Sequence, residues 1–211
     1  MRLLPPRPSD VFFDDAIRRI VDTANSVLDI GGGLRLDRTR SNRVNPQHAW
    51  ILQAFQKKGV AYRILDYVDT YHPDVVGDIQ NLPLQDASEE AIVCLSILEH
   101  VENPFKAAAE LHRVLKPGGL CFVYVPFLYY YHAEKGYYGD YWRFTEDSLK
   151  LLFKDFSSIA LTSVRGPIET LVRLSPFGRW SFFCALGQLG DLIARKQSSK
   201  QTSGYNVLLV K

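Results

Sequence analysis

Three consecutive glycines, Gly31, Gly32 and Gly33, follow an aspartate, Asp29, at the end of a short apolar run. Glycine permits positive φ and lets backbone come close to a ligand. Two more acids, Asp66 and Asp78, close further apolar runs, and Asp69 competes with Asp66. Carboxylates gathered around one crevice repel phosphate. They suit a ligand with an ammonium group, ribose hydroxyls and an exocyclic amine, a set of groups that S-adenosylmethionine carries. A dinucleotide cradle is disfavoured, because Gly-x-Gly-x-x-Gly would need glycine where the chain has Leu36. A second group lies in two aromatic-rich stretches, Pro126–His132 and Gly139–Thr145. Here His132 is the best candidate for a general base, since imidazole titrates near pH 6.5, at about neutral pH. Asp140 is spaced to orient it. Arg143 either binds an acidic group of the substrate or pairs with Asp140.

The elements that must position these groups follow from periodicity and punctuation. Ser26–Ile30 reads as a buried strand that feeds the glycine turn. Val60–Asp66, Val75–Ile79, Ala91–Ser96 and Leu120–Val125 read as further strands, with Ser158–Val164 and Tyr205–Val210 as the last two. Between them, Ser9 caps an N-terminal helix within residues 1–25, Asn45-Pro46 opens a helix to Lys58 with Gly59 as its stop, and Asn103-Pro104 opens another. Thr145 caps a helix over Glu146–Phe153. Alternating strands and helices give an α/β class with a doubly wound, mostly parallel sheet. In such sheets ligands bind at the carboxyl ends of the strands, where Asp29, Asp66 and Asp78 fall.

Bulk properties narrow the partners. The chain has 211 residues, enough for one domain over 1–211, and its 46% hydrophobic content excludes a disordered chain. A net charge of +2 gives no reason to expect nucleic acid. Three widely spaced cysteines offer neither a disulfide framework nor metal-ligand spacing, so no metal site is expected and a cytoplasmic setting fits. The first residues lack the apolar run of a signal peptide, and no stretch is long enough for a spanning helix. The segment 167–195, between the last two strands, is apolar and helical in pattern. Phe182, Leu186, Leu189 and Ile193 share a face, and Arg173, Arg179 and Arg195 flank it. It suits a lid packed on its own core first, then a peripheral membrane contact or a homodimer face.

Four segments resemble class I S-adenosylmethionine-dependent methyltransferases of the type-11 group. They are Val27–Gly33, Val76–Leu84, Ser96–Val101 and Glu110–Gly119. The resemblance implies a seven-stranded Rossmann-like sheet of order 3-2-1-4-5-7-6 with strand 7 antiparallel. It implies that Gly31, Gly32 and Gly33 approach the cofactor and that Asp29 lies near its amino-acid part. Asp66 would hold the ribose, Asp78 and Ile79 would meet adenine, and Ser96 would offer backbone contact to the methionine part. Two departures are Arg35, where a further glycine is common, and a long loop to Val44 bearing Arg35, Arg38, Arg40 and Arg43. One of these arginines is a candidate for the methionine carboxylate. The run Asp140–Thr145 resembles one found in small bacterial methyltransferases, some of them tied to surface-polysaccharide synthesis. The expected activity is methyl transfer to a hydroxyl or carboxyl of a small-molecule or glycan acceptor. The alternative is an inactive binding module on the same fold.

Overall fold

Apolar runs become strands at nearly the positions their patterns mark. The structure, a computed structural model, describes residues 4–36 and 44–211. The described residues form seven strands and six α-helices in the order α1 (Pro8–Thr23), β1 (Ser26–Ile30), α2 (Ala49–Lys58), β2 (Ala61–Asp66), β3 (Val75–Val76), β4 (Glu89–Leu95), α3 (Pro104–Val114), β5 (Leu115–Pro126), α4 (Glu146–Leu152), β6 (Ser158–Ser163), α5 (Pro167–Leu174), α6 (Ser181–Ile193) and β7 (Gly204–Val210). The strands make one sheet, β3-β2-β1-β4-β5-β7-β6. β1 to β5 pair in parallel, and β7 runs antiparallel to β5 and β6. This is the order that the four segments implied.

Successive strand side chains point to opposite faces, and β1 shows the consequence. Leu28 and Ile30 enter one core with Ile92 of β4 and Leu111 of α3. Val27 enters the other with Ile17 and Ile20 of α1 and Phe55 of α2. A strand covered on both faces must be apolar throughout, so Asp29 is the anomaly in this one.

Several boundaries move for local reasons. Arg7, not Ser9, caps α1, because Pro8 takes the first helical position that suits its fixed φ. Ser9 instead donates its hydroxyl to the Val164 carbonyl at 2.7 Å. The helix after Asn45 starts with a 3₁₀ turn, Pro46–His48, before α2. β3 stops at Val76 rather than Ile79. Asp78 closes a tight turn in which its carboxylate accepts from Gln80 N at 2.8 Å and its carbonyl from Asn81 N at 2.9 Å.

The apolar segment differs more. It forms α5 and α6 around a short turn, Pro176–Arg179. The two helices meet through small and polar groups. The Asp191 carboxylate accepts from the backbone N of Ile168 and Glu169, each at 2.9 Å, and a Cβ on Gly187 would press into Glu169 Cα at 2.8 Å. Buried Glu169 in turn binds Arg7 at 2.8 Å and Arg173 at 2.9 Å. The large apolar side chains are left outside: Leu171 is 65% exposed, Phe182 66% and Ile193 75%. The expected lid with these residues in its own core is therefore not what forms. No helix among the described residues is long and apolar enough to cross a membrane.

Candidate active site

A cavity of about 780 Å³ opens at the carboxyl ends of β1, β2 and β4. Gly31, Gly32, Gly33, Asp66, Asp78, Ile79 and Ser96 all line it, so seven of the expected cofactor contacts converge. The turn after β1 owes its path to glycine. Gly31 sits at φ +76° and Gly32 at φ +60°. A Cβ on Gly31 would collide with the Ile97 side chain, and one on Gly33 would lie 2.6 Å from Leu95 Cβ. Ser96 faces the turn from the end of β4 with φ +57°, strained for a residue with a side chain. Such strain persists only where the surroundings impose it, commonly at functional sites.

Asp29 is the departure. It was expected against the amino-acid part of a cofactor, but its side chain is fully buried and it is absent from the cavity lining. It lies beneath the turn, where its Oδ2 accepts from Leu34 N at 3.0 Å and from the Tyr62 hydroxyl at 2.6 Å. Burial pushes its carboxyl up to about 7, against the pull of those hydrogen bonds. Asp29 thus acts on the site by holding the turn. Asp66 does line the cavity, whereas Asp69 opens a 3₁₀ turn outside the lining. Partial burial raises the Asp66 carboxyl above its ordinary range, while Val68 N donates to it at 3.2 Å. Arg35 lines the cavity mouth. Arg38, Arg40 and Arg43 fall outside the described residues.

The other end of the cavity is made by two segments stitched together. Glu99, His100 and Val101 follow β4, and Tyr129 to Tyr141 follow β5. The Glu99 carbonyl accepts from Tyr141 N at 2.8 Å and Trp142 N at 3.2 Å. Trp142 Nε1 donates to the Val101 carbonyl at 2.9 Å. His132 lines the cavity. Its Nδ1 faces the Tyr130 carbonyl at 3.0 Å and Asp140 Oδ2 at 3.3 Å, so Nδ1 carries the proton and Nε2 presents the lone pair in the neutral ring. Asp140 also accepts from His132 backbone N at 2.8 Å.

Arg143 has no donor left for a substrate acid in this arrangement. It grips Asp140 through two bonds of 2.6 and 2.7 Å and donates to the Tyr130 carbonyl at 2.6 Å, the Trp142 carbonyl at 2.7 Å and, from Nε, the Tyr129 carbonyl at 3.4 Å. This pairing holds the Asp140 carboxyl far below its usual range, with burial opposing it. Neither Asp140 nor Arg143 lines the cavity, so the geometry makes both positioning groups for the loop that carries His132. Of the aromatic residues beside them, Phe144 is buried, while Tyr141 and Trp142 are exposed.

The residue that sequence reasoning passed over is Glu99. It is 0% exposed, lines the cavity, and neither carboxylate oxygen has a hydrogen-bond partner. The signal was present in its surroundings: an acid set among Ile97, Leu98 and Val101 at a strand end has no structural reason to be there. Its Oε1 lies 3.6 Å from His132 Nε2 and 3.9 Å from His100 Nε2. Glu99 is the main reason the His132 imidazolium is favoured above its ordinary range.

Comparison with known proteins agrees with this fold. A family model described as a methyltransferase domain matches residues 44–123, a span that starts after the glycine turn. A SAM-dependent methyltransferase from Archaeoglobus fulgidus superposes with a TM-score of 0.57 at 13% identity, covering 95% of this chain and 94% of that one. A phosphoethanolamine N-methyltransferase 2 from Haemonchus contortus, solved with S-adenosyl-L-methionine, superposes with a TM-score of 0.52 at 15% identity, covering 90% of this chain and 49% of that one. A curated sequence, an uncharacterized 37.1 kDa protein in transposon TN4556 of Streptomyces fradiae, is 48% identical over 44 residues. That match takes in 21% of this chain and only 13% of the Streptomyces protein.

Proposed function

We propose that this chain is a class I S-adenosylmethionine-dependent methyltransferase of the type-11 group that methylates a hydroxyl or carboxyl oxygen of a small-molecule or glycan acceptor, a reading supported by the methyltransferase-domain match over residues 44–123 and by the 3-2-1-4-5-7-6 sheet. The residues present fit the cofactor. The cavity, about 780 Å³, falls in the range of roughly 300–1,000 Å³ usual for small-molecule sites. Asp66 and Asp78 offer acceptors to hydroxyl and amine donors, and no lysine lines the cavity among the described residues. Gly31, Gly32 and Gly33 with Ser96 offer backbone, Asp66 a carboxylate for ribose, and Asp78 with Ile79 an edge for adenine. When bound, S-adenosylmethionine supplies a methyl group activated on a positively charged sulfur.

The observation that carries the hydroxyl part of this reading is the cluster of histidines and a carboxylate at the far end of the same cavity. Transfer needs an in-line approach at about 3–3.5 Å in a site shielded from water. Only an acceptor that must lose a proton needs a base. His132 Nε2 is the lone pair placed for that proton, with Asp140 and Tyr130 fixing the ring. The test is incubation with methyl-labelled S-adenosylmethionine and separate sets of sugar hydroxyl, carboxylate and amine acceptors. Label in the oxygen sets supports the reading. Label in amines alone overturns it.

The exposed α5–α6 face supports a location for the acceptor. Tyr130 of the acceptor loop donates its hydroxyl to the Arg173 carbonyl at 2.7 Å, so this face adjoins the acceptor end. Phe177, Trp180, Phe182 and Phe183 stand exposed there, with Arg179 stacked over Trp180 at 4.3 Å. Aromatic groups beside arginines suit an anionic membrane surface better than a second copy of the same basic patch. Co-sedimentation with anionic vesicles is the expected outcome. Concentration-dependent dimerisation without vesicle binding would contradict it.

A further inference from the structure

We propose that Glu99, His100 and His132 form a binding site for one divalent transition-metal ion at the acceptor end of the cavity. The Glu99 oxygen and the two imidazole nitrogens lie within 4.8 Å of one another. Their protonation is fixed from behind. His100 donates from Nδ1 to the Gly139 carbonyl at 2.6 Å, and His132 from Nδ1 to the Tyr130 carbonyl at 3.0 Å. A carbonyl can only accept, so both Nδ1 atoms hold protons and both neutral rings turn an Nε2 lone pair inward. Both Nε2 atoms face the same Glu99 oxygen, at 3.9 and 3.6 Å. Three electron-pair donors therefore converge, and neither oxygen of the fully buried carboxylate has a hydrogen-bond donor.

Buried charge needs a partner, and a cation supplies one for all three groups at once. The backing bonds are those that metal-binding histidines usually have, a ring N–H given to a carbonyl or carboxylate. Two nitrogens and one carboxylate favour zinc, cobalt or iron over magnesium or calcium, which prefer all-oxygen shells. Such a set leaves a coordination position open, and here the open side faces the cavity. The site deepens the reading of an oxygen acceptor and rests on it for its use. A hydroxyl bound to the cation would be acidified, as metal-bound water is, and would lose its proton to water at the open side of the cavity before the methyl donor closes over it. His132 then serves as a ligand, and its role as base belongs to the metal-free protein.

The test titrates tag-free, full-length protein, stripped with chelator, with Co²⁺ and Zn²⁺. It reads heat and the visible absorption of bound cobalt. One equivalent is expected to bind, with the cobalt bands of a nitrogen-containing site. Glu99→Gln and, separately, His132→Gln should each weaken binding by at least ~10-fold, and Asp140→Asn by ~10–100-fold. Circular dichroism, with S-adenosylhomocysteine binding, verifies that each variant is folded. No binding by wild type, or equal affinity in folded Glu99→Gln and His132→Gln, overturns the site. If S-adenosylhomocysteine binds and the metals do not, only this inference fails. If the metals bind and the nucleoside does not, the methyltransferase reading fails instead.

Discussion

The two ends of the cavity are built by different means. The end at the strand tips, where we place the nucleoside, is mostly backbone: three glycines in a turn, a strained Ser96 across from it, and carboxylates at the tips of β2 and just past β3. The end proposed for the acceptor is marked by side chains, Glu99, His100 and His132, brought together from two loops on neighbouring strands. A backbone cradle serves any chain that binds the same nucleoside. A side-chain cluster is particular to what it meets. On the proposed function, the contrast separates a shared task, holding a methyl donor, from a private one, choosing and activating an acceptor.

Perturbations should therefore divide cleanly between the two ends. The largest effect is expected at the turn. Gly31→Trp places an indole where even a Cβ collides with Ile97, and S-adenosylhomocysteine binding should vanish by calorimetry. Retained binding there would show that the turn is not the cradle.

Next is Asp29, which supports the same turn from below. Its carboxyl holds its proton up to about 7 when folded but releases it near the ordinary 3.8 when unfolded. The folded state thus binds more protons between these values. The stability Asp29 contributes is complete below the unfolded value and is lost as pH rises through the folded one. Thermal melts of wild type should fall from about pH 5 to about pH 8 more steeply than those of Asp29→Asn, with a difference reaching a few kcal/mol. Parallel curves would show that burial does not hold the proton there.

At the acceptor end, Arg143→Lys keeps the charge but loses the two-pronged grip on Asp140. Turnover should drop roughly tenfold, or ~1.4 kcal/mol in the barrier, with nucleoside affinity unchanged. A matched loss of affinity would mean the two ends are not separable. The smallest effect is expected outside the cavity. Phe182→Ser should cut vesicle binding several-fold, consistent with about 25 cal/mol per Å² of apolar surface withdrawn from water, and leave turnover on a soluble acceptor intact.

How much of this was legible follows the same division. The sheet and the cavity at its strand tips were readable because they rest on local features. Ser26–Ile30 is a continuous apolar run, the glycines follow it directly, and Asp66 ends the next run. The burial of Asp29 beneath the turn was not legible, because spacing cannot say which face of β1 an acid occupies or that Tyr62 of β2 waits beside it. The acceptor end was half visible. His132 and Asp140 stand eight residues apart in one loop and could be paired by eye. Glu99 lies 33 residues before His132 and meets it only because β4 and β5 are neighbours. The spacing leaves Arg143 open between substrate and Asp140, and only the fold shows that carbonyls of its own loop occupy its remaining donors. The α5–α6 face had its helical period in the sequence. That its apolar side looks outward depends on Gly187 and Asp191, which let the helices close on small and polar groups.

The central claim is that the cavity at the strand tips binds the nucleoside of S-adenosylmethionine through Asp66. Calorimetric titration of S-adenosylhomocysteine into wild type, Asp66→Ala and Asp69→Ala tests it directly. One equivalent should bind to wild type and to Asp69→Ala alike, with at least ~10-fold weaker binding to Asp66→Ala, the cost of a hydrogen bond to a charged group. No binding to wild type, or the loss falling on Asp69→Ala instead, would contradict it.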